Sequence, residues 1–414
     1  MESSGGEDSR VGERVRSFRK LKFYDAEIWE VRMNKIPLIE NACKELMEYG
    51  VRGWQEKGRD LAKRLLLRRK TPGEDLIFWP TGLLAAGLWA CREESAAAVK
   101  DRVGAALSDN AGQRPGDDAK LWHTGQVTAG IERSLVAYFD RWLKKGMPLI
   151  YVDDLLAGET LLNMYRCVRD KKADFGESIS EEQLKTGIDR MASYGADQPR
   201  DGAGSFLYRP AGGEKTVFVD GIGLACPFLY QYGEVFDRQE YKELAVLQIV
   251  NFLSYGMDGK TGLSYHGYDM TDGCKYGIIG WGRAVGWLLR GMAGCMVSGY
   301  GRERLAGSCT ALADAAIAWQ RPDGFFSWQL EALDGPADTS ATGMICTGLK
   351  RGMESGILAG GTYEKAFEAG RHALERSVRD GRVYRCSGEC EGFSQYPQCY
   401  GAYPWSLGPA LEVL

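Results

Sequence analysis

Apolar residues recur at helical spacing along most of this chain and almost nowhere at the alternating spacing of a half-buried strand. Residues 37–50, 53–69, 126–143, 157–170, 180–195, 239–255, 303–320 and 363–379 each set an apolar face against a polar one, which predicts amphipathic helices. A second kind of helix is poor in charge and rich in Gly, Ala, Cys and Met. It is predicted over 82–90, 154–164, 221–232, 284–297, 341–356 and 406–414. A helix that is apolar nearly all round is buried on every side, and small residues let its neighbours come close. The last four of these segments recur at about 60-residue intervals, the mark of a repeated helix pair. Small-residue helices alternating with amphipathic ones predict an inner ring within an outer ring. Strand-like pieces are confined to 216–219 and 262–266, expected as hairpins or extended segments in loops. The class is all-α.

Composition narrows the partners more than the fold. Of the 414 residues, 44% are hydrophobic and 26% charged, enough to build a large core, and the net charge is only −4 with no dominant basic run. Nucleic acid is therefore not an expected partner. The longest apolar runs, such as 83–91, are too short to span a bilayer. Residues 1–10 are polar and acidic, with no apolar signal core, and the eleven cysteines are an odd number scattered through apolar stretches. Together these predict a cytoplasmic protein with free thiols. Cys386, Cys390 and Cys399 cluster in sequence, but at a spacing that fits neither a zinc finger nor a ribbon, so no metal and no cofactor is expected. Residues 1–20 are expected to form a flexible arm and 21–414 a single domain.

The unusual residues fall in the long loops before the small-residue helices, where function concentrates on a rigid scaffold. Twice an aromatic residue, a valine and an aspartate lead into such a helix: Tyr151-Val152-Asp153, followed by Asp154, and Phe218-Val219-Asp220. Each acid is either a helix cap or part of a pocket where helix starts converge, and carboxylates held that way serve general acid and base chemistry. Trp281-Gly282-Arg283, followed by Gly286-Trp287, sets a guanidinium between two indoles at another helix start. It suits either a ligand carboxylate or a structural cation–π contact. Tyr265-His266-Gly267 lies close by in sequence, and His266 is one of three histidines in the chain. Asp338-Thr339-Ser340 reads first as a helix cap. Aromatic loop residues (Tyr208, Tyr265, Tyr268, Trp281, Trp328, Tyr403 and Trp405) suit either stacking on sugar rings or core packing.

In order and spacing over residues 120–414, these motifs resemble the unsaturated rhamnogalacturonyl hydrolases, glycoside hydrolase family 105, a sister group of the family 88 unsaturated glucuronyl hydrolases. The matching series runs from Asp220-Gly221 through Pro227-Phe228, Thr261-Gly262-Leu263, Tyr265-His266-Gly267, Trp281-Gly282-Arg283 and Gly286-Trp287 to Ser340-Ala341-Thr342, with Tyr151–Gly158 as the earlier aspartate motif. The resemblance implies an (α/α)6 barrel with its site where the inner helices begin. It also implies hydration of the C4–C5 double bond of an unsaturated uronyl disaccharide, such as unsaturated galacturonyl-rhamnose. Asp220 matches the proton donor and Asp153 the second acid, with Asp154 its immediate rival. An apolar helix mouth and a nearby like charge would both favour a protonated donor. His266, Trp281, Arg283, Tyr265 and Trp287 match the substrate pocket. Tyr208-Arg209 stands where many members carry Trp-His, so Arg209 is a candidate for contacting the uronate or a sulfate. The expected partner is this small molecule, and the expected state a monomer or homodimer.

Overall fold

The computed structural model describes residues 25–49, 76–108, 117–208, 215–390 and 395–414. The arm expected over 1–20, the helix expected over 53–69 and Arg209 lie outside these residues. Among the described residues there are twelve α-helices, which alternate between two rings. The outer ring is α1 (Asp25–Glu48), α3 (Asp117–Lys144), α5 (Glu181–Ala196), α7 (Gln239–Tyr255), α9 (Gly299–Ile317) and α11 (Gly361–Glu375). The inner ring is α2 (Trp79–Ser108), α4 (Ala157–Arg169, entered by a 3-10 turn at Val152–Leu156), α6 (Asp220–Val235), α8 (Gly282–Cys295), α10 (Thr339–Glu354) and α12 (Pro404–Val413). Each inner helix packs on the next, and α12 closes the circle against α2. The fold is an (α/α)6 barrel, and no helix among the described residues is long and apolar enough to cross a membrane.

Burial follows the two sequence patterns. Outer helix α5 buries a single stripe, Leu184, Gly187, Ile188, Met191, Ala192 and Gly195, while every residue of inner helix α8 is buried. Glycine sets the spacing of the inner ring. A Cβ on Gly87 of α2 would stand 2.3 Å from the Gly408 carbonyl oxygen of α12, and one on Gly286 of α8 would stand 2.5 Å from the Met344 Cβ of α10. No larger residue permits those approaches without displacing backbone. Near the end where the inner helices begin, one side chain from each meets on the barrel axis: Leu83, Leu156, Leu224, Trp287, Met344 and Trp405. This apolar plug forms the floor beneath the site.

Deeper along the axis the interior is ionic. Arg290 of α8 bonds Glu159 of α4 at 2.8 Å, and Arg351 of α10 reaches both Glu159, at 3.4 Å, and Glu412 of α12, at 2.7 Å. Lys350 and Lys35 extend the chain to Glu94 of α2, linking five inner helices and α1. Burial pushes the Glu412 carboxyl up, but Arg351 and then Arg290 outweigh it and hold it below the usual 4.5. A carboxyl depressed in the folded state contributes its full stability above the unfolded value, and that contribution is lost as pH falls through the folded value. Urea midpoints of wild type and Glu412→Gln are thus expected to lie apart above about pH 5 and to converge as the pH falls below the usual carboxylate range. Curves that stay parallel over that range would assign Glu412 no such linkage.

Two sequence expectations need adjusting. The second strand lies beyond 262–266: β1 (Thr216–Phe218) pairs antiparallel with β2 (Gly267–Asp269), which pairs with β3 (Lys275–Tyr276). Gly262 turns at φ +71°, and buried Leu263 and Ser264 serve a loop, so the ladder starts only after His266. The helix expected over 82–90 runs on to Ser108, because the charges that mask its continuation, Arg92 and Glu94, are paired with Glu132 and Lys35.

Candidate active site

Local chain geometry decides which acids cap helices and which do not. Asp154 is the capping acid: its Oδ2 accepts from the backbone N–H groups of Ile150 and Tyr151, at 2.7 and 3.2 Å, and so closes the turn that starts the second inner element. Its neighbour Asp153, 2% exposed, instead accepts a 2.8 Å hydrogen bond at Oδ2 from the Tyr208 hydroxyl. Asp220 is the first residue of α6 and makes no capping bond; Val219 occupies the cap position, and its N–H donates to the His266 carbonyl, continuing the β1–β2 ladder. That bond brings His266 against the start of α6. The result is a 3.0 Å contact between His266 Nε2 and Asp220 Oδ2. Asp220 Oδ1 has no hydrogen-bond partner among the described residues.

Around this pair lies a cleft of about 520 Å³ of empty space, its open mouth included. Asp220, His266, Trp281, Arg283 and Trp287 all line it, joined by Trp79 of α2, Tyr208, Phe218, Leu224, Glu389 and Cys390. These come from α2, α6, α8 and the loops before α6, α8 and α12, so the cleft opens at the end where the inner helices begin. Its walls are mostly aromatic. Phe218 stacks on the His266 imidazole, centroids 4.7 Å apart, and the Trp281 ring lies tilted against it at 4.5 Å. Tyr208 meets Phe218 edge-on at 4.6 Å, which ties the Asp153 contact to the same wall.

Arg283 borders the cleft, but its guanidinium is engaged below it. Nη2 donates to the Gly388 carbonyl at 2.7 Å, Nη1 donates to Ser387 and Ser340, and Asp338 lies 3.7 Å away. Asp338 is fully buried and caps α10 through the Ser340 N–H, as its position in the sequence predicted. It also accepts from the Ser387 N–H and both serine hydroxyls. The Trp281 ring lies 4.8 Å beneath the guanidinium carbon. The structural cation–π reading of this arginine is thus realised, with the Asp338 carboxylate beside it as counter-charge, and its visible work is to pin the 387–390 segment, with Glu389 and Cys390, to the rim.

Tyr265 is not brought to the cleft. It precedes His266 on extended chain and so faces the other way, where the Lys275 ammonium sits 5.3 Å above its ring. The cluster near the C-terminus spreads out: Cys386 is buried in the axial plug, Cys390 lines the cleft and Cys399 is exposed. Of the other loop aromatics, Tyr268 and Trp405 are buried core residues, and Tyr403 stacks on Trp405.

Sequence reasoning passed over Trp79, Phe218, Leu224, Glu389 and Tyr396. Trp79 stands at a helix start in the same way as Trp281, and that signal was readable. Tyr396 carried none. It reaches His266 Nδ1 at 3.0 Å from 130 positions away, inside a loop without periodicity.

The profile of Glycosyl Hydrolase Family 88 matches residues 126–404, from within α3 to the first residue of α12. The chain is 27% identical over 295 residues to the unsaturated rhamnogalacturonyl hydrolase YesR of Bacillus subtilis (strain 168), an alignment covering 68% of this chain and 80% of that one. A possible family 105 member from Klebsiella pneumoniae has a solved structure similar to this one, with a TM-score of 0.70 at 16% identity over 95% of this chain and 93% of the other. The unsaturated glucuronyl hydrolase of Bacillus sp. GL1 gives 0.56 at 18% identity, over 81% and 85%. At such identities the two structures speak to the fold, while the profile speaks to descent. Matched by it over about two thirds of its length, including four of the six inner helices in full, the chain belongs to glycosyl hydrolase family 88 and is a glycoside hydrolase.

Proposed function

We propose that this enzyme hydrolyses unsaturated uronyl disaccharides, of the unsaturated galacturonyl-rhamnose kind, with Asp220 as proton donor. The observation that carries the reading is the Asp220 carboxyl itself. It caps nothing, one oxygen is held by His266, and the other is left for a ligand in an aromatic-walled cleft. In the step proposed, the proton on Asp220 passes to C4 of the enol ether and a water oxygen bonds to C5. The water's surplus proton returns to a carboxylate. The C5 hemiketal then opens, and the hemiacetal left at C1 expels the partner sugar, giving a 5-keto-4-deoxyuronate. Asp153, oriented by Tyr208, is assigned to positioning that water, and Asp154 to holding the turn. Trp281 and Trp287 supply stacking faces, and Arg209 is the candidate for the uronate carboxylate. No cofactor enters this scheme. A cytoplasmic enzyme, monomeric or homodimeric, built as one barrel domain over 21–414, completes the reading.

The C4–C5 double bond conjugated to the carboxylate absorbs in the ultraviolet, and hydration removes that absorbance. A panel of unsaturated galacturonyl and glucuronyl disaccharides, with and without sulfate, is expected to be bleached by the wild type. The preferred member identifies the partner sugar. A glucuronyl preference would move the assignment to the sister activity, and no bleaching of any member would leave a barrel that binds sugar without hydrolysing it.

A further inference from the structure

The donor scheme, on which this inference rests, needs the Asp220 proton on the oxygen that faces the substrate. The described contacts contain a device for that. Tyr396 comes from the stretch between the 387–390 segment and α12. Its ring packs against Trp281, at 5.5 Å, and edge-on against Trp328, at 5.6 Å. Its hydroxyl lies 3.0 Å from His266 Nδ1, and the opposite ring nitrogen lies 3.0 Å from Asp220 Oδ2. Three groups therefore stand in line: phenol, imidazole, carboxyl.

The direction of these bonds can be worked out. The Ile278 N–H donates to the Tyr396 oxygen, at 3.4 Å, and burial pushes the phenol well above its ordinary range, so it keeps its own hydrogen. That hydrogen has an acceptor in His266 Nδ1. A nitrogen that accepts there carries no proton, so in the neutral ring the proton sits on Nε2. Nε2–H then donates to Asp220 Oδ2. An oxygen already accepting from N–H cannot also present a hydrogen to that nitrogen, so a protonated Asp220 carries its hydrogen on Oδ1. Among the described residues the Cys390 thiol, 3.9 Å from Nδ1, also faces that nitrogen; it is a weak donor and would hold the same tautomer less firmly.

We propose that Tyr396 is a positioning residue for the reaction: by fixing His266 as its Nε2–H tautomer it directs the Asp220 proton to Oδ1, the oxygen left for the substrate. Without the hydroxyl the imidazole can turn to its other tautomer, take a hydrogen bond from Asp220 Oδ2–H, and hold the proton on the wrong oxygen.

The test reads the tautomer directly. The chain has three histidines, so nitrogen-15 spectra with His266→Gln as reference identify the His266 signals. The wild type is expected to show an unprotonated Nδ1 and a protonated Nε2, and Tyr396→Phe, which keeps the ring, to lose that pattern. With the preferred disaccharide, Tyr396→Phe is expected to lower kcat about 10- to 100-fold, part of what a placed proton donor contributes, with KM within about twofold. A glutamine at 266 offers Asp220 an amide N–H whatever Tyr396 does. Adding Tyr396→Phe to His266→Gln is therefore expected to cost no further activity. Protonated Nδ1 in the wild type overturns the proposal, as does a Tyr396→Phe enzyme with unchanged tautomer and kcat, or full additivity in the double variant. If the wild type turns over no unsaturated uronide, the proposed function fails, and the wild-type spectrum still judges the tautomer.

Discussion

Asp220→Asn is expected to remove at least about 10²- to 10⁴-fold of the turnover of unsaturated uronyl disaccharides, the range that a positioned general acid contributes. The side chain keeps its size, and its amide oxygen can still accept from His266 Nε2, so the start of α6 and the imidazole stay where they are. What is lost is a proton acidic enough to be given to carbon. The check is the rate of absorbance loss under saturating substrate, with thermal unfolding as the control. An unchanged unfolding curve with collapsed kcat supports the donor role. Full activity in this variant would move the role elsewhere, and Asp153→Asn, which retains an acceptor for the Tyr208 hydroxyl, is then the next variant to assay.

The largest expected effect on stability lies far from that carboxyl. Glu159 is the shared partner of Arg290 and Arg351, and Arg290 is 1% exposed with Nε and Nη1 already lacking hydrogen-bond partners among the described residues. Glu159→Ala would leave the Arg290 charge buried with no counter-ion in contact. Removing one partner of a buried pair costs about 3–5 kcal/mol, because the remaining charge has neither water nor a partner. Urea unfolding followed by tryptophan fluorescence should show that loss. Replacing the charge as well, in Glu159→Met with Arg290→Met, should recover much of it, since an apolar pair of similar volume carries no desolvation cost. A double variant as unstable as Glu159→Ala would show that packing, and not the stranded charge, sets the effect.

These two residues show where the sequence was readable. Asp220 announced itself by setting: an acid at the mouth of a helix of Gly, Ala and Cys has few structural uses, and the ordered motifs around it narrowed them further. Glu159 sent a misleading signal. The sequence reads this stretch two ways, as a small-residue inner helix over 154–164 and as an amphipathic helix over 157–170, the latter because Glu159 and the arginines near the helix end supply a polar face. In the folded chain α4 belongs to the inner ring, and Glu159 points into the barrel because Arg290 and Arg351 receive it there. Periodicity counts a charge as solvent-facing; only a counter-charge from another helix can reverse that, and no local window contains one.

The site divides in the same way. Its helix-borne members were legible because Asp220 opens one inner helix while Trp281, Arg283 and Trp287 lie at the start and in the first turns of another, and the ring brings those beginnings together. Asp153 and Asp154 could not be ranked by composition, since adjacent acids share one setting, and only the family resemblance favoured Asp153. The 3-10 turn separates them, sending Asp154 back to two backbone N–H groups and Asp153 across to Tyr208. Arg283 kept two meanings until the partners of its guanidinium appeared, 57 and 104 positions away in Ser340 and Ser387.

Alone, the sequence determined that this chain is a double ring of helices with its candidate site at one mouth, because apolar period, small-residue content and motif order are local properties that survive without coordinates. Tertiary structure alone decided which polar groups face one another: His266 with Asp220 and Tyr396, Arg283 with Asp338 and Ser387, Glu159 with two arginines. The physical reason is that a buried polar side chain must find a partner wherever the fold supplies one, and in a closed barrel that partner comes from a different helix or loop, tens to more than a hundred residues away.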